Sequence, residues 1–112
     1  MQNPTTLTLN KEFKRAYYRG RYKASPFLVS YCVKNNMDKV RYGITASKKL
    51  GCAVKRNRCR RIIRTAFLSV LKENPKKYSG YDFVFVARKD TIEKNSNEIL
   101  AIMKKQIHNI VK

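Results

Sequence analysis

The stretch VKRNRCRRIIRTAFLSVLK, residues 54–72, decides the fold because it has the pattern of a long amphipathic helix. At about 100° per residue its apolar side chains fall on one side, and its arginines crowd the opposite side near the start. Pro75 blocks continuation of the helix. We predict that the apolar side packs on a sheet through Cys59, Ile62, Ile63, Ala66, Phe67, Val70 and Leu71.

The segments on either side of this helix have the composition of strands. Val40–Ala46 precedes the helix, and the strongly apolar run Tyr81–Ala87 follows it. Phe27–Val33 is a further β-rich run, and the short stretch Arg21–Ser25 adds a strand before it. A helix between two strands favours a crossover connection and therefore a partly parallel sheet.

Two more helical patterns complete the chain. Asn10 is the predicted N-cap of the first helix, which has Glu12 in its first turn and ends near Gly20. Ser96 is the predicted cap of the last helix. The order is α-β-β-β-α-β-α, and we predict an α/β fold, an α+β two-layer sandwich with helices on one face of the sheet. Residues 1–112 form a single domain in this interpretation.

The composition points to a polyanionic partner. The 112 residues carry 26 Lys+Arg against 7 Asp+Glu, a net charge of +19. Hydrophobic residues make up 43% of the chain, which is enough for a core and argues against a disordered basic tail. Because so large a charge repels itself, we expect a nucleic acid partner first and an acidic membrane second.

Other features bear on the compartment. No stretch approaches the roughly 20 apolar residues of a membrane span. The first residues lack the basic and apolar regions of a secretory signal. Cys32, Cys52 and Cys59 are odd in number and form no C-x-x-C motif, which favours reduced thiols over a disulfide framework or a zinc site. We interpret Cys52 and Cys59 as packing residues only. We therefore expect a cytoplasmic protein.

The acidic residues argue against chemistry on the polypeptide itself. Protein nucleases usually need clustered carboxylates for metal ions, or a histidine as general base. His108, the single histidine, is predicted to face solvent on the last helix. The scattered carboxylates are predicted to pair with surface Lys and Arg, although folding could gather two or three of them. We predict no catalytic and no metal-binding residue among Glu12, Asp38, Glu73, Asp82, Asp90, Glu93 and Glu98.

Residues 48–64, called the basic segment below, contain eight basic residues and no acidic one. Several lie near a helix N-terminus, where the helix dipole disfavours positive charge. The mismatch is explained if phosphates dock there, because backbone N–H groups and arginine side chains together form an anion site. A merely solvated charged face would normally mix both signs. The pattern therefore favours nucleic acid binding.

Aromatic residues favour RNA over DNA. Phe13 and Tyr17 lie one turn apart on the first helix, and Tyr31 lies in the first long strand. Such rings can stack on unpaired bases, as in single-stranded RNA recognition, or simply pack in the core, and the pattern leaves both open. The chain lacks the RNP aromatic motif and a G-x-x-G loop, which disfavours RRM and KH modules.

The run from Ser47 to Arg64, SKKLGCAVKRNRCRRIIR, resembles the signature of the bacterial ribonuclease P protein subunit. Its centre is Arg56-Asn57-Arg58 followed by Arg60-Arg61. Residues 12–20 are similar to that family's opening helix, and residues 83–89 are similar to one of its strands.

The resemblance implies a protein that joins a catalytic RNA, which removes the 5′ leader of precursor tRNA with Mg²⁺ bound mainly by the RNA. It also implies a left-handed crossover, against the usual right-handed preference, with no membrane and no protein oligomer required. The residues implied to bind the catalytic RNA are Arg56, Asn57, Arg58, Arg60, Arg61 and Arg64. Those implied to line the leader cleft are Phe13, Tyr17 and Tyr31, with Lys48 and Lys49 near it.

Three other functions carry similar charge. A ribosomal or RNA-chaperone protein would bind RNA without stimulating cleavage, and an autonomous nuclease would cut without an RNA partner. A membrane-active cationic peptide fits least, because the charged helix has too much apolar surface to bury.

Overall fold

The computed structural model describes residues 4–111, which form one five-stranded sheet and three α-helices. The strands are β1 (Thr5–Thr6), β2 (Arg21–Ala24), β3 (Leu28–Lys34), β4 (Arg41–Thr45) and β5 (Tyr81–Ala87). The helices are α1 (Asn10–Arg19), α2 (Ala53–Glu73) and α3 (Ser96–Ile110). Short 3-10 helices cover Lys48–Leu50 and Thr91–Glu93. None of the helices within the described range is long and apolar enough to cross a membrane.

The predicted order α-β-β-β-α-β-α is confirmed, and the two-residue β1 adds a strand before it. The predicted caps are wrong by one residue. Leu9 is the N-cap of α1, where the Glu12 carboxylate accepts the backbone N–H groups of Thr8 and Leu9 at 3.1 and 2.9 Å. Asn95 rather than Ser96 caps α3. In α1 the Glu12 side chain supplies the cap hydrogen bonds, so an apolar residue can stand at the N-cap. In α3 the Asn95 side chain accepts the Glu98 N–H, and its polar neighbour Ser96 becomes the first helical residue.

The strand order is β1-β4-β5-β3-β2, with β5 in the centre. β4 and β5 are parallel and are joined through α2, so the predicted crossover in a partly parallel sheet is confirmed. β5 pairs antiparallel with β3, and β3 pairs antiparallel with β2. The left hand of the crossover stays a prediction.

The main core lies between α2, α3 and one face of the sheet. Phe67 of α2 is fully buried at its centre, with ring centroids 5.2, 5.3 and 4.9 Å from those of Tyr42, Phe83 and Phe85. Phe83 and Phe85 alternate along β5, so both side chains point to this face. The α2 and α3 layer against the sheet is the predicted two-layer sandwich.

Helix α1 packs on the opposite face, so the expectation that all helices share one face is wrong for α1. Val84, between the two core phenylalanines of β5, points to this second face and is fully buried with Leu7 and Ala16. Phe13 and Tyr31 pack against the same cluster. β5 is apolar on both faces, and its second face needs a cover of its own.

One buried ion pair joins α1, β4 and β5. The Asp82 side chain is 1% exposed and accepts both Arg41 Nε and Nη2, at 2.8 and 2.7 Å. Arg41 Nη1 also donates to Glu12 at 2.6 Å, and the Asn35 amide donates to Asp82 at 2.8 Å. The backbone N–H of Leu9, with help from Arg41, holds the pKa of Glu12 below its usual value.

The other paired carboxylates are at the surface. Glu73 pairs with Lys104 at 2.9 Å and Glu98 with Lys94 at 3.6 Å. The prediction of surface pairs is therefore confirmed for Glu73 and Glu98 and wrong for Asp82. The fold brought Arg41 and Asp82 together across 41 positions of sequence.

We expect Asp82→Ala to lower the free energy of unfolding by about 3–5 kcal/mol, because it leaves the Arg41 charge and the Asn35 amide without their buried acceptor. Urea denaturation at low temperature measures the loss. Glu73→Ala is the matched control and should cost about 1 kcal/mol or less, since its pair is solvated. Equal losses for the two variants would contradict a structural role for the buried pair.

Candidate nucleic-acid interface

The basic segment begins in the 3-10 helix Lys48–Leu50. The side chains of Lys48 and Lys49 are both exposed. Gly51 follows with φ +115°, a conformation that L side chains rarely adopt, and this turns the chain into α2. The two lysines therefore lie immediately before the helix that carries the arginines.

The start of α2 has a positive electrostatic environment. Its first turn contains no acidic residue. Cys52 is the exposed N-cap, so the expected packing role for it is wrong. The backbone N–H of Lys55, with that of Val54 and the Lys55 charge, lowers the pKa of the Cys52 thiol. An anion is thus stabilised at this helix end.

The other two cysteines lie in the apolar interior. Burial raises the pKa of the Cys32 thiol to about 12. Burial also raises the pKa of Cys59, which packs in the main core as expected. Their environment differs from that of Cys52 because both side chains are buried in the main core, whereas Cys52 is exposed at a helix end.

The six predicted RNA-binding residues do not share one environment. Arg58, Arg61 and Arg64 are exposed along α2, as is Asn57. Arg56 is half-buried, and its Nε is the buried side-chain polar atom without a hydrogen-bond partner among the described residues. Arg60 is also half-buried. Helical periodicity spreads consecutive arginines around the axis, so they point in different directions.

Arg60 points toward β4. Its Nη1 donates to Asn57 Oδ1 at 3.1 Å, and its Nη2 donates to the Ala46 carbonyl at 3.5 Å. The same side chain lines a groove with Phe13 and Tyr17 of α1. Arg60 therefore joins the basic segment to the predicted aromatic site.

Arg58 and Arg61 line a different groove. It runs between α2 and the segment that leads into α3, where Lys94 and Asn95 form part of the wall. The predicted arginines thus divide between two sides of α2, and only Arg60 lines the groove beside α1.

Phe13 lies directly over the backbone of β4. A Cβ added at Gly43 would lie 2.5 Å from Phe13 Cε1 and Cζ, so glycine is what allows this close approach. Phe13 is half-buried against Leu7, Ala16 and Val84. Its ring covers this small apolar cluster and also forms a wall of the groove that Arg60 lines.

Tyr17 and Tyr31 are in contact, as their shared predicted role requires. Their ring centroids are 4.9 Å apart in an edge-on arrangement. The Tyr17 hydroxyl is 2.8 Å from Thr45 Oγ1, which ties α1 to the end of β4. Tyr17 is 37% exposed and Tyr31 is half-buried, so both have a core part and a surface part. Their role in binding RNA stays a prediction.

Tyr22 belongs to the same surface and was not predicted. Its ring stacks on Tyr31, with centroids 5.4 Å apart and planes at 29°, and it is 62% exposed. The four-residue sequence of β2 is enough to indicate a strand but does not indicate how this strand aligns with β3. Register places Tyr22 directly opposite Tyr31, on the same face. Tyr17, Tyr31 and Tyr22 are called the aromatic row below.

The described residues offer no ready metal site. Residues 4–111 contain no group of three or more His, Cys, Asp or Glu that could hold a metal ion. His108 is exposed on α3, which confirms its predicted position.

The fold and the site define a class: a small α/β protein with a net charge of +19 and a basic helix beside an aromatic groove, a surface complementary to a polyanion. A family profile described as Ribonuclease P matches residues 1–111. The chain therefore belongs to the ribonuclease P protein component family, whose members are part of an endoribonuclease holoenzyme that acts in tRNA 5′ processing.

Individual relatives agree with this assignment. The ribonuclease P protein component of Clostridium botulinum is 41% identical over 90 residues, which cover 80% of this chain and 79% of that one. The Clostridioides difficile component is 39% identical over 106 residues, which cover 95% of this chain and 88% of that one. The solved Staphylococcus aureus RNase P protein superposes with a TM-score of 0.78 at 27% identity, covering 98% of this chain and 100% of that one.

We expect Gly43→Ala to lower the free energy of unfolding by about 1–3 kcal/mol, because the new methyl group displaces Phe13 from β4. Urea denaturation measures this cost alone and in a Phe13→Leu background, where the ring is already absent. The cost should be smaller in that background, since the two residues are in contact. An identical cost in both backgrounds would show that Phe13 is not what Gly43 accommodates.

Proposed function

We propose that this chain is the subunit of ribonuclease P that binds the catalytic RNA and the single-stranded 5′ leader of precursor tRNA, and so promotes Mg²⁺-dependent removal of the leader. The observation that carries the proposal is the position of Arg60, which lies in the basic segment and also lines the groove with Phe13 and Tyr17. The proposed phosphate-binding surface and the proposed base-stacking surface are therefore contiguous.

The basic segment is the proposed contact with the catalytic RNA. Arg58, Arg61 and Arg64 are exposed, and residues 48–64 contain no acidic residue. Glu93 and Glu98 line the same groove as Arg58 and Arg61, from the segment that leads into α3 and from its first turn. Their forked guanidinium groups can each bind a phosphate through two hydrogen bonds. The start of α2 adds the favourable end of a helix dipole for anions. Asn57 and Arg60 hold each other in place, and Arg56 completes the set.

The groove beside α1 is the proposed leader site. Partly exposed rings can stack only on bases that are unpaired, because a duplex keeps its base faces inside the helix. Phe13 and Tyr17 form one wall, and Tyr31 continues the surface. Lys48 and Lys49 follow Ala46, itself part of the groove, and would neutralise leader phosphates.

The chemistry is assigned to the RNA partner. Mg²⁺ would supply Lewis-acid and water-activating chemistry there, while this chain neutralises phosphates and holds the leader. Asp82 and Glu12 are occupied by Arg41, which supports a positioning rather than a catalytic role for the polypeptide. We place this function in the cytoplasm, with no membrane and no protein oligomer required.

The decisive experiment is cleavage of a precursor tRNA at low Mg²⁺ by a bacterial ribonuclease P RNA, with and without this protein, beside the protein alone. We expect stimulation only in the mixture, because phosphate neutralisation replaces part of the Mg²⁺ requirement. Tight RNA binding without stimulation would favour a ribosomal or chaperone role. Cleavage by the protein alone would overturn the assignment of chemistry to the RNA.

We expect Arg58→Ala to weaken assembly with the catalytic RNA and to flatten its salt dependence. Loss of one phosphate contact should reduce the slope of log K against log[salt] by about 0.7–0.9. Binding titrations over a salt series measure the slope. Lys72→Ala, at the other end of α2, removes the same charge and should leave the slope near the wild-type value. An unchanged slope in Arg58→Ala would argue against a phosphate contact at this position.

A further inference from the structure

We propose that Tyr22 extends the leader site to the edge of the sheet and stacks on a leader base that lies farther from the cleavage site than the base at Tyr17. This inference rests on the proposed function, since it adds a position to the same binding surface. Tyr22 lies outside the basic segment, and strand register sets its position opposite Tyr31.

The register of the sheet places four residues in one row across four neighbouring strands, and this row is called the track below. Gly43 of β4 lies opposite Val84 of β5, Val84 opposite Tyr31 of β3, and Tyr31 opposite Tyr22 of β2. Residues in register across a sheet point to the same face, here the face that α1 covers in part. The track starts under Phe13 at Gly43 and ends at Tyr22.

Exposure increases along this track. Val84 is fully buried, Tyr31 is half-buried and Tyr22 is 62% exposed. β2 is the edge strand of the sheet, so no further strand covers Tyr22 from the side. The aromatic row therefore leaves the core and reaches solvent at Tyr22.

The contact with Tyr31 orients the Tyr22 ring for stacking. One face of Tyr22 lies against Tyr31 with centroids 5.4 Å apart, which is less than twice the ~3.4 Å spacing of stacked bases. No base fits between the two rings, so a ligand base would use the outer face of Tyr22. A ring already held by a neighbour loses little conformational freedom on binding.

The direction of the leader follows from the basic segment. Arg60 and Phe13 line the β4 end of the site, where the catalytic RNA is proposed to dock. The scissile bond must lie near that RNA, so Tyr22, at the far edge on β2, meets nucleotides more distant from it. A short leader would occupy Phe13 and Tyr17 only.

The experiment measures the affinity of the reconstituted holoenzyme for precursor tRNAs whose leaders grow one nucleotide at a time. We expect Tyr22→Ala to bind short-leader substrates and mature tRNA like the wild type, and to lose about 5- to 150-fold once the leader reaches the sheet edge. Tyr22→Phe should restore binding, since stacking needs the ring and not the hydroxyl.

Two control variants give the outcomes their meaning. Tyr17→Ala should weaken binding of short and long leaders alike but spare mature tRNA. Tyr18→Ala removes a ring that is 86% exposed and should change nothing. Thermal unfolding of each variant followed by circular dichroism verifies that the fold is retained.

Each contrary result has a distinct reading. Equal loss by Tyr22→Ala at every leader length would mean that Tyr22 merely supports Tyr31, and would overturn the inference. No loss at any length, with a normal Tyr17→Ala effect, would overturn the inference and leave the proposed function standing. A wild-type holoenzyme that does not distinguish precursor from mature tRNA would defeat the proposed function itself.

Discussion

The pair between Arg41 and Asp82 is the interaction on which the arrangement of the site depends. Asp82 is almost fully buried, so its charge is tolerable only because Arg41 and Asn35 satisfy it. Arg41 also reaches Glu12, whose carboxylate accepts the N–H groups at the start of α1. One guanidinium group thereby holds α1 against the beginnings of β4 and β5. The groove exists because α1 is held on this face.

The central strand β5 contributes side chains to two different apolar clusters, one on each face of the sheet. Phe83 and Phe85 point into the main core with α2 and α3, whereas Val84 points to the face under α1. The larger core thus forms on the face away from the aromatic groove. The groove face keeps a small core and leaves its rings partly exposed, and Gly43 lets Phe13 approach the backbone of β4 closely. Partial burial orients the rings while leaving surface for a ligand.

The start of α2 lacks the acidic residues that normally stabilise a helix N-terminus. Its first turn is followed by arginines instead. The main core compensates, because the same helix buries Phe67, Ile63 and Val70 farther along. The lowered pKa of the Cys52 thiol at the N-cap is a local sign of the same positive environment. Tertiary packing therefore permits a helix start whose charges are locally unfavourable.

The amino-acid sequence by itself determined the three helices, four of the five strands, the order of these elements and the acid-free basic segment, because each is encoded in a local period or a run of like charges. The resemblance of residues 47–64 to a known signature added the family. Tertiary structure alone decided that α1 covers the second face, that Asp82 is buried with Arg41, that the arginines divide between two sides of α2, and that Tyr22 stacks on Tyr31. These features depend on strand register and on contacts between residues distant in sequence, which no local pattern specifies.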